Sequence, residues 1–143
     1  MAGTTQYLKE RNPRIVVGCA DPYGAAMWSW FTNDGDSFVE GIGQGRVTKN
    51  LECIAVDRAW RIPDQDALTI LYQLLREEGL FLGLSSSINV AGAVRMAHDR
   101  GPSQTIVTIL CNSGTRYQSR IFNPGWLTAN GLKTELSVET LLV

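Results

Sequence analysis

The sequence predicts an α/β fold: a mainly parallel sheet with helices on both faces. Three observations carry this expectation. Ala67, Ile70, Leu71, Leu74 and Leu75 fall at the i, i+3, i+4, i+7, i+8 spacing of a helix with one buried stripe, running from Asp64 to Gly79. Thr105-Ile-Val-Thr-Ile-Leu110 is a short, continuous apolar run of the kind that forms strands buried on both faces. Between them, an apolar segment near Leu80-Phe81-Leu82 reads as a strand that turns through Ser85-Ser86-Ser87 into a helix reaching about His98.

The other elements follow in order. Tyr7-Leu8 with Lys9, Glu10 and Arg11 suggests a short helix stopped by Asn12-Pro13, because the residue before a proline is pushed out of the helical region. Arg14-Ile-Val-Val-Gly-Cys19 then reads as a buried strand ending at Ala20-Asp21-Pro22. Ala25 to Phe31 suits a helical turn or two carrying Trp28 and Trp30, and Thr32 to Ser37 is a loop by composition. Asn123-Pro-Gly-Trp126 reads as a turn and a short helix, and the tail from Lys133 is assigned to no element. With 143 residues, 44% of them hydrophobic, the chain has material for one domain, residues 1–143.

Composition excludes several function classes. Thirteen basic residues against fourteen acidic ones leave a net charge of -1, which argues against nucleic acid and anionic membranes as partners. No run approaches the ~20 apolar residues of a membrane span, and the first residues lack the apolar core of a secretion signal. Cys19, Cys53 and Cys111 are odd in number and widely spaced, with His98 as the one histidine. That set makes neither a disulfide framework nor a metal site, and it suits a reduced, cytoplasmic protein.

The serine cluster is the most informative segment. A strand that turns through hydroxyl residues into a helix presents unpaired backbone N–H groups and the positive end of a dipole, which suits an acceptor or anionic ligand. Its plainer reading is an ordinary helix cap. Cys111-Asn-Ser-Gly-Thr-Arg116, directly after the 105–110 run, places a polar turn where open α/β sheets bind ligands, at the same edge as Ser85. It is not a cysteine-phosphatase loop, since four residues rather than five separate Cys111 from Arg116. Cys111 is therefore expected to be a small buried residue at a strand end. Gly41-Ile-Gly43-Gln-Gly45 lacks the spacing of a dinucleotide fingerprint and reads as a turn that permits close backbone approach. His98 reads as a residue placed at a helix C-terminus. No catalytic triad can be assembled from these residues.

Tyr7-Leu-Lys-Glu-Arg-Asn-Pro13, Ala20-Asp-Pro22, Glu40-Gly-Ile-Gly-Gln-Gly-Arg-Val47, Glu77-Glu-Gly-Leu80, Gly83 to Val90 and Ser113-Gly-Thr-Arg-Tyr-Gln-Ser119 occur in the order found in cysteine synthases. On these motifs the chain resembles, over nearly its whole length, the C-terminal part of that pyridoxal-phosphate (PLP) family, a partial large domain of the tryptophan-synthase β-like fold. The resemblance implies a β-replacement in which O-acetylserine loses acetate and sulfide adds to give cysteine. It implies PLP as the cofactor, with Ser85 bonded to the pyridine nitrogen and Ser86 the neighbouring candidate. Gly41, Ile42 and Gly43 would approach the ring through their backbone, and Ser113 and Arg116 would lie near the cofactor edge.

The family run Gly-Gly-Ser-Ser-Gly reads Gly83-Leu84-Ser85-Ser86-Ser87, and Asn112 stands where the family has Asp. The family's Schiff-base lysine and phosphate loop belong to a part upstream of the motifs matched, and Lys9, Lys49 and Lys133 match none of its lysine motifs. The expectation is a C-terminal portion with no catalytic residue of its own, inactive alone. A different class of reading is a non-catalytic binding or regulatory module. It would form a homodimer, pair with a full-length homologue, or bind serine acetyltransferase, whose tail docks at this edge in the family. A third reading is a cystathionine β-synthase-like lyase, although Gly41 to Arg46 is closer to the cysteine synthases.

Overall fold

Residues 1–23, 25, 49–50 and 54–134 are described by the computed structural model of the chain. The first helix, α1 (Ala2–Arg11), is almost wholly polar and buries only Thr5. It is held from outside: Lys9 Nζ reaches both carboxylate oxygens of Asp57, at 2.7 and 2.6 Å, and Asp57 also accepts the Val17 N–H at 2.7 Å. These bonds hold the Asp57 carboxyl below its ordinary value, the Lys9 bond first and the Val17 amide second. The anchor is therefore complete above the ordinary carboxylate range and is lost as pH falls through the lowered folded value. Asn12-Pro13 ends the helix as expected.

The strand expected from Arg14 begins later. The first strand, β1 (Gly18–Pro22), pairs in parallel with β2 (Arg58–Ile62), Gly18 lying opposite Arg58 and Pro22 opposite Ile62. Sequence reading had no strand at 58–62, because Arg58 and Arg61 interrupt the apolar pattern. In the fold Ile62 is fully buried while Arg58 is exposed. The Arg61 guanidinium stacks 4.2 Å from the Tyr23 ring centre. The parallel pairing agrees with the predicted class.

The next helix, α2 (Asp64–Glu78), ends at Gly79 in a left-handed conformation, φ 69°, with the Gly79 N–H returning to the Leu74 carbonyl. Its burial is heavier at the N-terminal end than the stripe implies: Ala67, Leu68, Thr69, Ile70 and Leu71 are all buried, whereas Leu74 and Leu75 are half-buried. Thr69 is tolerated there because its hydroxyl donates to the Gln65 carbonyl at 2.8 Å.

The third helix, α3 (Leu84–Arg100), packs against α2 and across both strands. A Cβ at Gly92 would sit 2.5 Å from the Ala20 side chain, so glycine sets the helix-to-strand approach. Arg95 ties three elements together, donating to the Arg61 carbonyl at 2.7 Å and to the Asp66 carboxylate at 3.0 Å. Burial nevertheless pushes the Asp66 carboxyl up, outweighing the attraction of Arg95. Ile62, Leu68, Leu71, Leu84, Ile88, Ile121 and Leu127 meet in the core.

After α3 the chain differs from expectation. Residues 105–110 join no strand pairing, and the 80–82 segment contributes a single antiparallel bridge, Leu82 to Ser113. A 3₁₀ turn (Gly114–Tyr117) and a short helix α4 (Pro124–Ala129) follow. Asn123 caps α4, its Oδ1 accepting from the N–H groups of Gly125 and Trp126. The expected elements at 26–37 and the Gly41 to Gly45 turn lie outside the described residues. Among the described residues no helix is long and apolar enough to cross a membrane.

Candidate functional site

The serine cluster sits inside the first turn of α3 rather than before it. The residue preceding the helix is Gly83, and none of the three hydroxyls caps the exposed N–H groups. The plain capping role is thereby overturned, and each serine has a different bond. Ser87 Oγ donates back to the Leu84 carbonyl at 2.8 Å. Ser86 is 0% exposed, and its Oγ accepts the Cys111 N–H at 2.9 Å and the Asn112 N–H at 3.5 Å. Ser85 is half-buried, and its Oγ donates to Asn112 Oδ1 at 2.9 Å.

Asn112 is the hub. Its carbonyl accepts the Gly83 N–H at 2.8 Å, and its Nδ2 donates to the Tyr117 hydroxyl at 2.8 Å. Both ends of the amide are engaged, so the Ser85–Asn112–Tyr117 chain has a defined direction. Gly83 lets this happen: a Cβ there would run into Asn112 Oδ1 and stand 2.7 Å from both Asn112 Cγ and Tyr117 Cε2. The Ser85 turn and the 111–113 turn thus share one edge, as the strand and helix order predicted. Sequence reading did not place Asn112 or Tyr117 in the site, although both stand in or beside the Ser113 to Ser119 motif.

The remaining candidates divide. Ser113 is exposed and turned inward to its own segment, accepting from the Thr115 N–H at 3.3 Å and the Thr115 hydroxyl at 3.2 Å. Arg116 is exposed on the 3₁₀ turn. Gly41, Ile42 and Gly43 lie outside the described residues. Cys111 corrects an expectation: it is exposed, because the 105–110 segment that precedes it is covered by no neighbouring strand, while Cys19 on β1 is buried. Burial pushes the Cys19 thiol up to about 11, with Asp21 adding to the effect. Alkylation at pH 8 followed by peptide mass mapping is expected to modify Cys111 in the folded chain and Cys19 only after unfolding. Equal labelling of the two would contradict this burial.

The edge fits one part of a PLP molecule. A half-buried hydroxyl at the start of a helix can bond a pyridine nitrogen, and Asn112 holds that hydroxyl in place. Of the described lysines, Lys9 is committed to Asp57, and Lys49 and Lys133 are exposed.

The family profile for pyridoxal-phosphate dependent enzymes matches residues 1–112, most of the chain. The chain belongs to that family. It is 41% identical over 141 residues to Cysteine synthase 1 of Neurospora crassa, covering 92% of this chain and 38% of the relative. It is 38% identical over 143 residues to the cysteine synthase of Dictyostelium discoideum, covering 89% of this chain and again 38% of the relative. Among solved structures it superposes on O-acetylserine sulfhydrylase isoform 3 from Entamoeba histolytica with a TM-score of 0.78 at 25% identity, covering 99% of this chain and 40% of that one. The O-acetylserine dependent cystathionine beta-synthase from Helicobacter pylori gives a TM-score of 0.75 at 28% identity, covering 83% and 38%. This family member thus spans about two fifths of the length of the relatives it matches.

Proposed function

We propose that this chain supplies the ring-nitrogen side of a PLP site for β-replacement of the cysteine synthase type, and that alone it does not turn substrate over. The observation that carries this reading is the Ser85 hydroxyl at the start of α3, held by Asn112, in a chain whose relatives are cysteine synthases. Bound PLP would supply the electron sink that lets acetate leave O-acetylserine and sulfide add. Ser85 would meet the pyridine nitrogen with a neutral hydroxyl. Behind it stand a neutral amide and a phenol rather than a carboxylate, so nothing in the Ser85–Asn112–Tyr117 chain carries negative charge to hold a proton on that nitrogen. To donate to the ring, Ser85 must turn its proton away from Asn112 Oδ1, which the hydroxyl rotor allows.

Pyridoxine 5′-phosphate is the suitable probe, because it keeps the ring nitrogen and lacks the aldehyde that would label surface lysines. Titration followed by broadening of its ring-proton signals is expected to show binding to the chain, weakened about tenfold, roughly 1.4 kcal/mol, by Ser85→Ala. Unchanged affinity in that variant would overturn the assignment of Ser85. Formation of cysteine from O-acetylserine and sulfide by the chain alone would overturn the second half of the reading.

A second reading is favoured by the likeness to the cystathionine beta-synthases of Dictyostelium discoideum, 31% identical over 134 residues, and Helicobacter pylori. It differs only in the nucleophile, a thiol amino acid instead of sulfide.

A further inference from the structure

Residues 105–110 have the composition of an interior strand and none of its neighbours. Side chains of a strand alternate between faces. On one face Ile106 is half-buried and Leu110 is 47% exposed; on the other, Val107 is 84% and Ile109 66% exposed. Among the described residues no strand pairs with this segment. Its C-terminal end is fixed to α3, where Asn89 Nδ2 donates to the Ile109 carbonyl at 2.9 Å and Ser86 Oγ accepts the Cys111 N–H at 2.9 Å. No charged residue occurs between Gly101 and Asn112 and no proline between Ser103 and Asn112, so the devices that normally blunt a free edge are missing.

We infer that residues 105–110 are a docking strand whose occupant is the remaining three fifths, roughly, of a cysteine synthase chain, donating a neighbouring strand and the apolar layer that covers Val107 and Ile109. Two observations favour this occupant over a second copy. An apolar run on both faces belongs inside a sheet covered on both sides, and two identical edges meeting would leave the Val107 face bare. The solved relative that matches 99% of this chain uses only 40% of its own length to do so, which leaves ample chain to surround the strand. Recognition would be by backbone pairing and apolar contact, with no electrostatic component. The inference rests on the family membership and the partial coverage, and not on cofactor binding.

The test is hydrogen exchange at the amides of residues 105–110 in three samples: the chain alone, the chain co-expressed with the unmatched part of Neurospora crassa Cysteine synthase 1, and the two joined by a flexible linker. Protection of at least tenfold is expected in the second and third samples. The double variant Val107→Lys with Ile109→Lys should remove it while leaving the melting temperature of the chain alone unchanged, since both side chains are exposed. Exchange at the free rate in the linked protein would overturn the inference. So would protection that rises with concentration in the chain alone, accompanied by a dimer mass, because the occupant would then be a second copy. Loss of probe binding in Ser85→Ala is read separately, so either proposal can fail without the other.

Discussion

Replacing Gly83 by alanine is expected to lower the stability of the chain by about 2–3 kcal/mol and to weaken pyridoxine phosphate binding tenfold or more. The backbone is not the reason: Gly83 has φ -88° and ψ 164°, which alanine adopts freely. The cost is steric. The added Cβ would meet the Asn112 side chain and the edge of the Tyr117 ring, at 2.7 Å from both Asn112 Cγ and Tyr117 Cε2. Asn112 cannot step aside cheaply. Its backbone carbonyl holds the Gly83 N–H, and its amide is bonded at both ends, to Ser85 and to Tyr117. Relief of the clash therefore breaks one or two hydrogen bonds, each worth about 0.5–1.5 kcal/mol net, and frees the Ser85 hydroxyl from its support. Denaturant unfolding measures the first effect and probe titration the second. A variant as stable as the parent would show that the approach of Gly83 to Asn112 is looser than these distances imply.

Leu71→Ala is expected to cost about 2–5 kcal/mol, the range for emptying a fully buried leucine site. Leu71 is 0% exposed and belongs to the cluster that α2 shares with Ile62 and with Leu84 and Ile88 of α3. Small domains hold only about 5–15 kcal/mol in total, so this one change would remove a large share of the stability. It also bears on the site, because Leu84 is the first residue of α3 and its neighbour is Ser85. A loss below about 1 kcal/mol in urea unfolding would mean that the core collapses around the gap.

Much of the fold was legible in local pattern. The α2 helix declared itself through the recurrence of Ala67, Ile70 and Leu71 and through Gly79, whose left-handed conformation ends it where the composition indicated. The Asn12-Pro13 stop and the Asn123-Pro124 start are also local chemistry, a backbone restriction and a side-chain cap. β2 was not legible, because arginines at 58 and 61 make it look solvent-facing, and only its parallel pairing with β1 makes it a strand. The serine cluster was legible as a polar turn beside the Asn112 turn, but not the division of labour within it. Ser86 became a buried support and Ser85 the half-buried hydroxyl because the helix begins at Leu84, one turn earlier than a capping role requires.

Residues 105–110 mark the boundary most clearly. By itself, the sequence determined that this run is suited to the interior of a sheet, since alternation, β-branching and absence of charge are properties of the residues alone. Whether a strand is actually paired depends on neighbours distant in the chain, and only the tertiary structure decided that Val107 and Ile109 face outward and that Cys111 is exposed with them. The same holds for the site. Composition and motif order determined the PLP-dependent family and nominated Ser85. Three-dimensional packing alone decided that Asn112 and Tyr117 orient it, because hydrogen bonds between residues 27 and 5 positions apart depend on how the helix and the turn are brought together.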